Sequence, residues 1–227
     1  MADVSDSRSL TRHGQDRKAE LLRHAEYLFA KRGYENTRMV DIADAAGVAK
    51  GLVYWYFENK ETLFREIVAD MGRRLRRALS RAVDGVDDPL GRLYVATAES
   101  VRFIGENHRL YGIISIAMRG DQRLRDTRSH SRRVLADDAI TLLAEGQELG
   151  QVRTDEDPAV LAHANAGVVY YFVLLYADGL TGDGRRRLDL EAAAHGAARY
   201  VLRAVAAGDE VIEAVLSRHA PSHAQTI

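Results

Sequence analysis

Four residues at fixed spacing restrict this chain more than any other feature. Counting from Met39, Ile42 stands fourth, Ala43 fifth, Gly47 ninth and Val53 fifteenth. A helix-turn-helix requires this set: an apolar anchor, a small residue where two helices touch, a glycine free to take positive φ in the turn, and a second anchor on the next helix. The stretch that follows, "GVAKGLVYWYFENK" from Gly47 to Lys60, places Leu52, Val53, Tyr54, Trp55, Tyr56 and Phe57 in one unbroken apolar and aromatic block. Propensity alone makes that block a buried strand, since β-branched and aromatic residues favour sheets. Its flanks make it a helix, because Gly47 stops one helix and Asn59 is an N-cap for the next.

On a helical wheel of about 100° per residue the block divides. Val53 and Phe57 share the face that packs on Ile42 and the first helix. Lys50, Gly51, Tyr54 and Trp55 fan round the other side, with Leu52 and Tyr56 at the borders. A strand in a core has no use for Lys50 and Gly51 there. A helix in a major groove does: Gly51 lets the backbone come close, Lys50 reaches a base edge or phosphate, and tyrosine hydroxyls bond phosphate oxygens. The competing reading of Trp55 is a ring packed in the core.

Periodicity elsewhere is helical throughout. Leu21, Leu22, Ala25, Leu28 and Phe29 mark a helix ending at Gly33, and Met39 to Ala46 a short second one. Leu63, Phe64, Ile67, Val68, Met71, Leu75, Leu79 and Ala82 continue as a long helix after Asn59. Further helices are expected near 90–106, 109–118, 122–149, 157–178 and 189–207, where Asp157 and Pro158 mark the sharpest start. The fold class is therefore all-α. The expected organisation is a flexible arm over 1–14, a helix-turn-helix domain over 15–75 with its motif at 38–57, a larger helical domain over 76–208, and a tail over 209–227.

Composition sets limits. The chain has 227 residues, a net charge of −1 and no cysteine, so thiolate metal sites, disulfides and a cysteine nucleophile are excluded, and any case for nucleic acid rests on where the charges stand. The charged start has no apolar core of signal-peptide length, and the chain reads as cytoplasmic. Its histidines are scattered, with no paired-ligand spacing and no glycine-rich loop after a strand; no catalytic residue, metal site or cofactor is expected. The glycine-rich "TGDGRRR" joins two helices and reads as a loop.

The segment "GYENTRMVDIADAAGVAKGLVYWYFENKETLF" resembles the DNA-binding domain of the tetracycline-repressor (TetR) family, in its threonine entry, "DIA", "AGV", the tyrosine pair before Phe57 and the Lys-Glu that opens the fourth helix. The resemblance covers about 15 to 75 at the level of motifs and only helix order beyond. It implies base or near-base contacts at Lys50, Gly51 and Leu52, and phosphate contacts at Thr37, Tyr54, Tyr56 and Lys60. Lys60 has a physical argument of its own: a cation in the first turn of a helix opposes the dipole, and a nearby phosphate reverses that sign. Two departures stand out. Ala49 replaces the usual Ser before the recognition helix, removing an N-cap, and Arg38 stands where a small hydroxyl residue is usual, adding a phosphate contact or altering operator choice.

The resemblance further implies a homodimer built from the helices near 157–178 and 189–207, presenting two recognition helices to a pseudo-palindromic operator in double-stranded DNA. A pocket for a largely apolar small-molecule effector is expected among the middle helices. Its candidate linings are Phe103, Tyr111, Ile114, Met118, Tyr170, Tyr171 and Tyr176, with His108, His163 and Asn165 as polar contacts. The arginine-rich "RLRDTRSHSRR" is either a greeting for an acidic ligand or a solvated face. The function expected is a ligand-responsive regulator, a repressor first and an activator of the same fold second; a helical enzyme and an interaction-only protein are the alternatives from other classes.

Overall fold

The computed structural model describes the backbone of residues 4–120, 136–177 and 189–220, with side chains placed for these except 4–13, 115–116, 118–120 and 173–177. The expectations for Met118, Tyr176, "RLRDTRSHSRR" and "TGDGRRR" lie outside the described residues or side chains. Apart from one isolated bridge between Val152 and Ala206, the described residues are helices and their connections. None of these helices is long and apolar enough to cross a membrane.

The chain divides into two compact units, one holding Met1–Met71 and the stretch from Ile113, the other Gly72–Gly112 and the chain after 127. The single break expected at 75/76 is thus met by a boundary inside the fourth helix and a second one inside the sixth.

In the first unit, α1 spans Val4–Arg32. Its buried residues Leu21, Leu22, Ala25, Leu28 and Phe29 follow the expected spacing. The expected arm over 1–14 differs from this, since the backbone is helical from Val4 onward. No proline interrupts that charged stretch, and the one internal glycine, Gly14, is tolerated in a helix at a cost of about 1 kcal/mol. Gly33 ends the helix at φ 83°, and its N–H donates to the Phe29 carbonyl at 2.8 Å. Helix α2 spans Met39–Ala46, and Gly47 stops it at φ 65°, ψ 34°. That left-handed turn lets the Val48 N–H reach back to the Ala43 carbonyl at 3.0 Å, satisfying a group the helix end would leave open. Helix α3 spans Lys50–Tyr56, and α4 Lys60–Ala82. Asn59 caps α4, its Oδ1 accepting the Thr62 N–H at 2.8 Å.

The second unit is built on α5 (Pro89–Glu106) packed against α9 (Leu190–Val205). Ala193, Ala194, Ala197 and Ala198 give α9 a flat buried face, and Leu90, Leu93, Tyr94 and Val101 of α5 fill the same core. Each such large apolar side chain is worth about 1.5–3 kcal/mol when removed from water. Polar bonds fix the same pair of helices. Arg102 of α5 grips Glu191 of α9 through two nitrogens at 2.7 and 2.8 Å and also holds Glu99 at 2.6 Å; these bonds keep its guanidinium above its ordinary pKa. The Tyr94 hydroxyl meets His195 Nδ1 at 3.1 Å, and burial pushes the phenol pKa up. Helix α6 spans His108–Gly120, and α7 is described over 136–148. Helix α8 spans Pro158–Ala177, capped by Asp157, whose Oδ1 accepts the Ala159 N–H at 2.7 Å.

The expected tail over 209–227 is corrected: Asp209–His219 form a further helix, α10, with Ile212 and Val215 buried. Its sequence carries the reason. Acidic Asp209 and Glu210 open it, Arg218 and His219 close it in accord with the helix dipole, and Ile212, Val215 and Leu216 recur on one face. His219 Nε2 then meets Asp88, the cap of α5, at 3.2 Å.

Candidate nucleic-acid interface

The block is helical from Leu52 to Tyr56, with Phe57 as the extended C-cap at φ −136°, ψ 114°, and its two faces part as the wheel requires. Val53 and Phe57 are 0% and 1% exposed, whereas Trp55 is 75% and Tyr54 44% exposed. Lys50 and Gly51 are exposed as well, with Leu52 and Tyr56 half-buried at the borders. The Lys50 ammonium lies over the Tyr54 ring, 5.5 Å from its centre, and Trp55 meets Tyr56 edge-on at 4.6 Å. Among the described residues outside its own helix backbone, a Cβ built on Gly51 meets nothing within 4 Å, so their packing gives no reason for a glycine there. Glycine inside a helix costs roughly 0.5–1 kcal/mol relative to alanine.

Helix α3 also starts without a side-chain cap, at Ala49 with φ −62° and ψ 139°. Arg38 occupies the N-cap position of α2, and an arginine has no acceptor to offer the helix N–H groups. Only the reciprocal bond forms, with Asp41 Oδ2 accepting the Arg38 N–H at 2.7 Å. The Arg38 side chain is 79% exposed and 3.7 Å from Asp41. Both helices of the motif therefore start with less capping than a Ser or Thr would give, a loss of about 1 kcal/mol each.

Two expected phosphate contacts stand differently. Thr37 is 0% exposed, and its hydroxyl donates to the Gly33 carbonyl at 2.9 Å. The expectation of a phosphate contact there is corrected: Thr37 closes the end of α1 and offers no surface to a duplex. Lys60 is half-buried, its ammonium donating to the Tyr34 and Glu35 carbonyls at 2.9 and 3.3 Å. Those acceptors offset the dipole penalty of a cation at the first position of α4, so no phosphate is required to explain it.

Sequence reasoning missed the supports of α3. Lys18 of α1 sits 5.5 Å from the centre of the Phe57 ring and pairs with Glu66 of α4 at 3.1 Å. A Cβ built on Gly14 would lie 3.8 Å from the Tyr56 hydroxyl, so that ring leans on α1. These contacts join residues far apart in the chain, and no local pattern announces them.

The expected effector residues do not gather in one unit. Ile114 groups with the first unit, while Phe103, His108, Tyr111, His163, Asn165, Tyr170 and Tyr171 fall in the second. His163 is exposed and bonds the Ala159 carbonyl of its own helix, and Tyr171 is 57% exposed; both face outward. His108 Nδ1 is occupied by the Gly105 carbonyl at 2.8 Å. Phe103, Tyr111, Asn165 and Tyr170 are half-buried. A shallow cleft of about 210 Å³, lined by Asp88, Gln151, Glu210, Val211, Ala214, Val215 and Arg218, contains none of the expected residues. Among the described residues no group of His, Asp and Glu stands together as a metal site.

Comparison with known proteins bears on this geometry. Residues 21–67 match the family model described as bacterial regulatory proteins, tetR family. The HTH-type transcriptional regulator TtgR of Pseudomonas putida is 39% identical over 79 residues, 34% of this chain and 37% of that protein, so the chain matches little more than a third of that relative's length. The HTH-type transcriptional repressor KstR2 of Mycolicibacterium smegmatis is 31% identical over 152 residues, covering 62% of this chain and 70% of its own. Among solved structures, SmeT, the repressor of the Stenotrophomonas maltophilia multidrug efflux pump SmeDEF, superposes with a TM-score of 0.67 at 25% identity, over 86% of this chain and 92% of that one. With the helix-turn-helix, the all-helical fold and these likenesses together, the chain belongs to the tetR family of bacterial regulatory proteins.

Proposed function

We propose that this protein is a homodimeric, effector-responsive repressor that binds a pseudo-palindromic operator through α3. The observation that carries this reading is the outward face of α3, where a lysine, a glycine that the fold does not need and two exposed aromatic rings stand over buried Val53 and Phe57. We assign base or near-base contacts to Lys50, Gly51, Leu52 and Trp55, and phosphate contacts to Arg38, Tyr54 and Tyr56.

Dimerisation is assigned to α8 and α9. Val160, Ala164, Gly167 and Tyr171 form one exposed stripe on α8 at spacings of four, three and four. On α9, Ala192 and Tyr200 are exposed, and a Cβ on the half-buried Gly196 between them would meet nothing within 4 Å among the described residues outside its own helix backbone. Small residues between rings let a second pair of helices approach closely, and a two-fold axis there pairs each stripe with its own copy. The effector is assigned to Phe103, Tyr111, Asn165 and Tyr170, which suit a largely apolar ligand with one polar contact. Helix α4 runs unbroken from Lys60 to Ala82 and is the covalent link along which effector occupancy changes the operator-binding state.

Selection of bound genomic fragments followed by a gel shift at several salt concentrations tests this reading. The expected result is a defined duplex whose affinity falls steeply with salt, each neutralised phosphate adding roughly −0.9 to the log–log slope. A protein that retains no duplex at low salt would refute it.

A further inference from the structure

The surroundings of Lys60 assign it work other than neutralising a phosphate. Its ammonium has three donors. Two go to backbone carbonyls of the turn between α1 and α2, Tyr34 at 2.9 Å and Glu35 at 3.3 Å, and the charge sits 4.3 Å from the centre of the Tyr34 ring. The Tyr34 carbonyl also accepts the Thr37 N–H at 3.3 Å, and Thr37 is folded back onto Gly33 by its hydroxyl. The turn that Lys60 holds is therefore the one that leads directly into Arg38 and α2.

One turn further along α4, Phe64 grips the same loop independently. Its ring lies 4.8 Å from Tyr34 and 5.9 Å from Phe29 of α1, while Phe29 and Tyr34 meet at 5.4 Å. The start of α4 thus holds the entry to α2 by a cation on one side and an aromatic trio on the other. Lys50 contrasts with this: it is exposed and carries its ammonium over its own neighbour's ring.

We propose that Lys60 is a positioning residue: it fastens the first turn of α4 to the turn entering α2, and so fixes the height and angle at which α2 and α3 meet a duplex. This rests on the reading of α3 as the DNA-binding helix. Lys60 then contributes to affinity through the placement of other residues, and it neutralises no phosphate itself. It also makes α4 and the helix-turn-helix move as one piece, as an effector acting along α4 requires.

The test uses Lys60→Met, which keeps the chain length over the Tyr34 ring and removes the donors, Lys60→Arg, which keeps a charged donor, and Arg38→Ser as the phosphate-contact comparator. Each full-length variant is checked by thermal unfolding. Binding to the duplex recovered by fragment selection is measured across salt concentrations. Lys60→Met is expected to lose roughly tenfold in affinity, the worth of one charge-assisted hydrogen bond, with the wild-type salt slope retained. Arg38→Ser is expected to flatten the slope by roughly 0.9 per protomer. Lys60→Arg should recover part of the lost affinity. In the free protein, amide exchange over residues 34–42 should be faster in Lys60→Met than in wild type. A flatter slope in Lys60→Met, or unchanged exchange over 34–42, would overturn the proposal. Because the exchange arm needs no DNA, it separates failure of this joint from failure of the DNA-binding reading.

Discussion

Helix α3 and the pair α8–α9 both present large apolar side chains to solvent, and the residues between those side chains differ. On α3, exposed Tyr54 and Trp55 alternate with Lys50 and Gly51. On α8, exposed Val160 and Tyr171 are separated by Ala164 and Gly167, with no charge on the stripe. An apolar surface interleaved with a cation suits a polyanion whose groove offers base edges between phosphates. The same amount of apolar surface interleaved with small neutral residues suits another helix. On the proposed reading both helices are contact surfaces, and the residues between the exposed side chains decide what each contacts.

The comparison breaks most visibly at α8. Gly167→Glu with Tyr171→Glu places carboxylates across the proposed two-fold axis, where like-charge juxtaposition costs several kcal/mol. The protomer itself has room, since a Cβ on Gly167 meets nothing within 4 Å and Tyr171 is 57% exposed. Sedimentation should show a folded monomer; a persistent dimer would place the interface elsewhere. Next in size is the contrast between the faces of α3. Phe57→Ala should cost about 3–5 kcal/mol of stability in urea unfolding, whereas Trp55→Ala should stay within about 0.5 kcal/mol and weaken DNA binding instead. Equal stability losses from both would mean that Trp55 serves the fold.

Smaller effects sharpen the reading of the outward face. Lys50→Ala should remove about 1–3 kcal/mol of discrimination at the base it reads, seen as relaxed preference among randomised duplexes. Gly51→Ala should stabilise the free protein by roughly 0.5–1 kcal/mol while weakening operator binding. A variant that is both more stable and equally tight would show that no partner approaches that backbone.

How much of this the sequence disclosed depended on the range of the physics. The helix-turn-helix was legible because Ile42, Ala43, Gly47 and Val53 act over one turn and two short helices, and Gly47 does take the left-handed conformation that the pattern demands. The caps at Asn59 and Asp157 were equally local, and each accepts an N–H two or three residues on. Helix α10 carries a readable signal in Asp209, Glu210 and the spacing of Ile212, Val215 and Leu216, but at 11 residues after Gly208 it is short enough to be mistaken for a tail. Thr37 and Lys60 could not be placed by motif alone. The Thr37 hydroxyl turns inward onto Gly33, and the acceptors of Lys60 stand 25 and 26 residues earlier in the chain. The effector residues were the least legible, because an aromatic at helical spacing looks the same whether it faces a pocket, a core or a second subunit; Tyr171 and His163 proved to face outward.

Trp55 is the chain's one tryptophan and stands on the face in question, so its fluorescence reports on the central claim directly. Acrylamide quenching of that emission, measured with and without the selected duplex under conditions where anisotropy of labelled DNA shows saturation, is the decisive experiment. Contact through the outward side of α3 predicts that quenching drops sharply once DNA is bound. A saturated complex in which Trp55 is quenched as readily as in the free protein would contradict it.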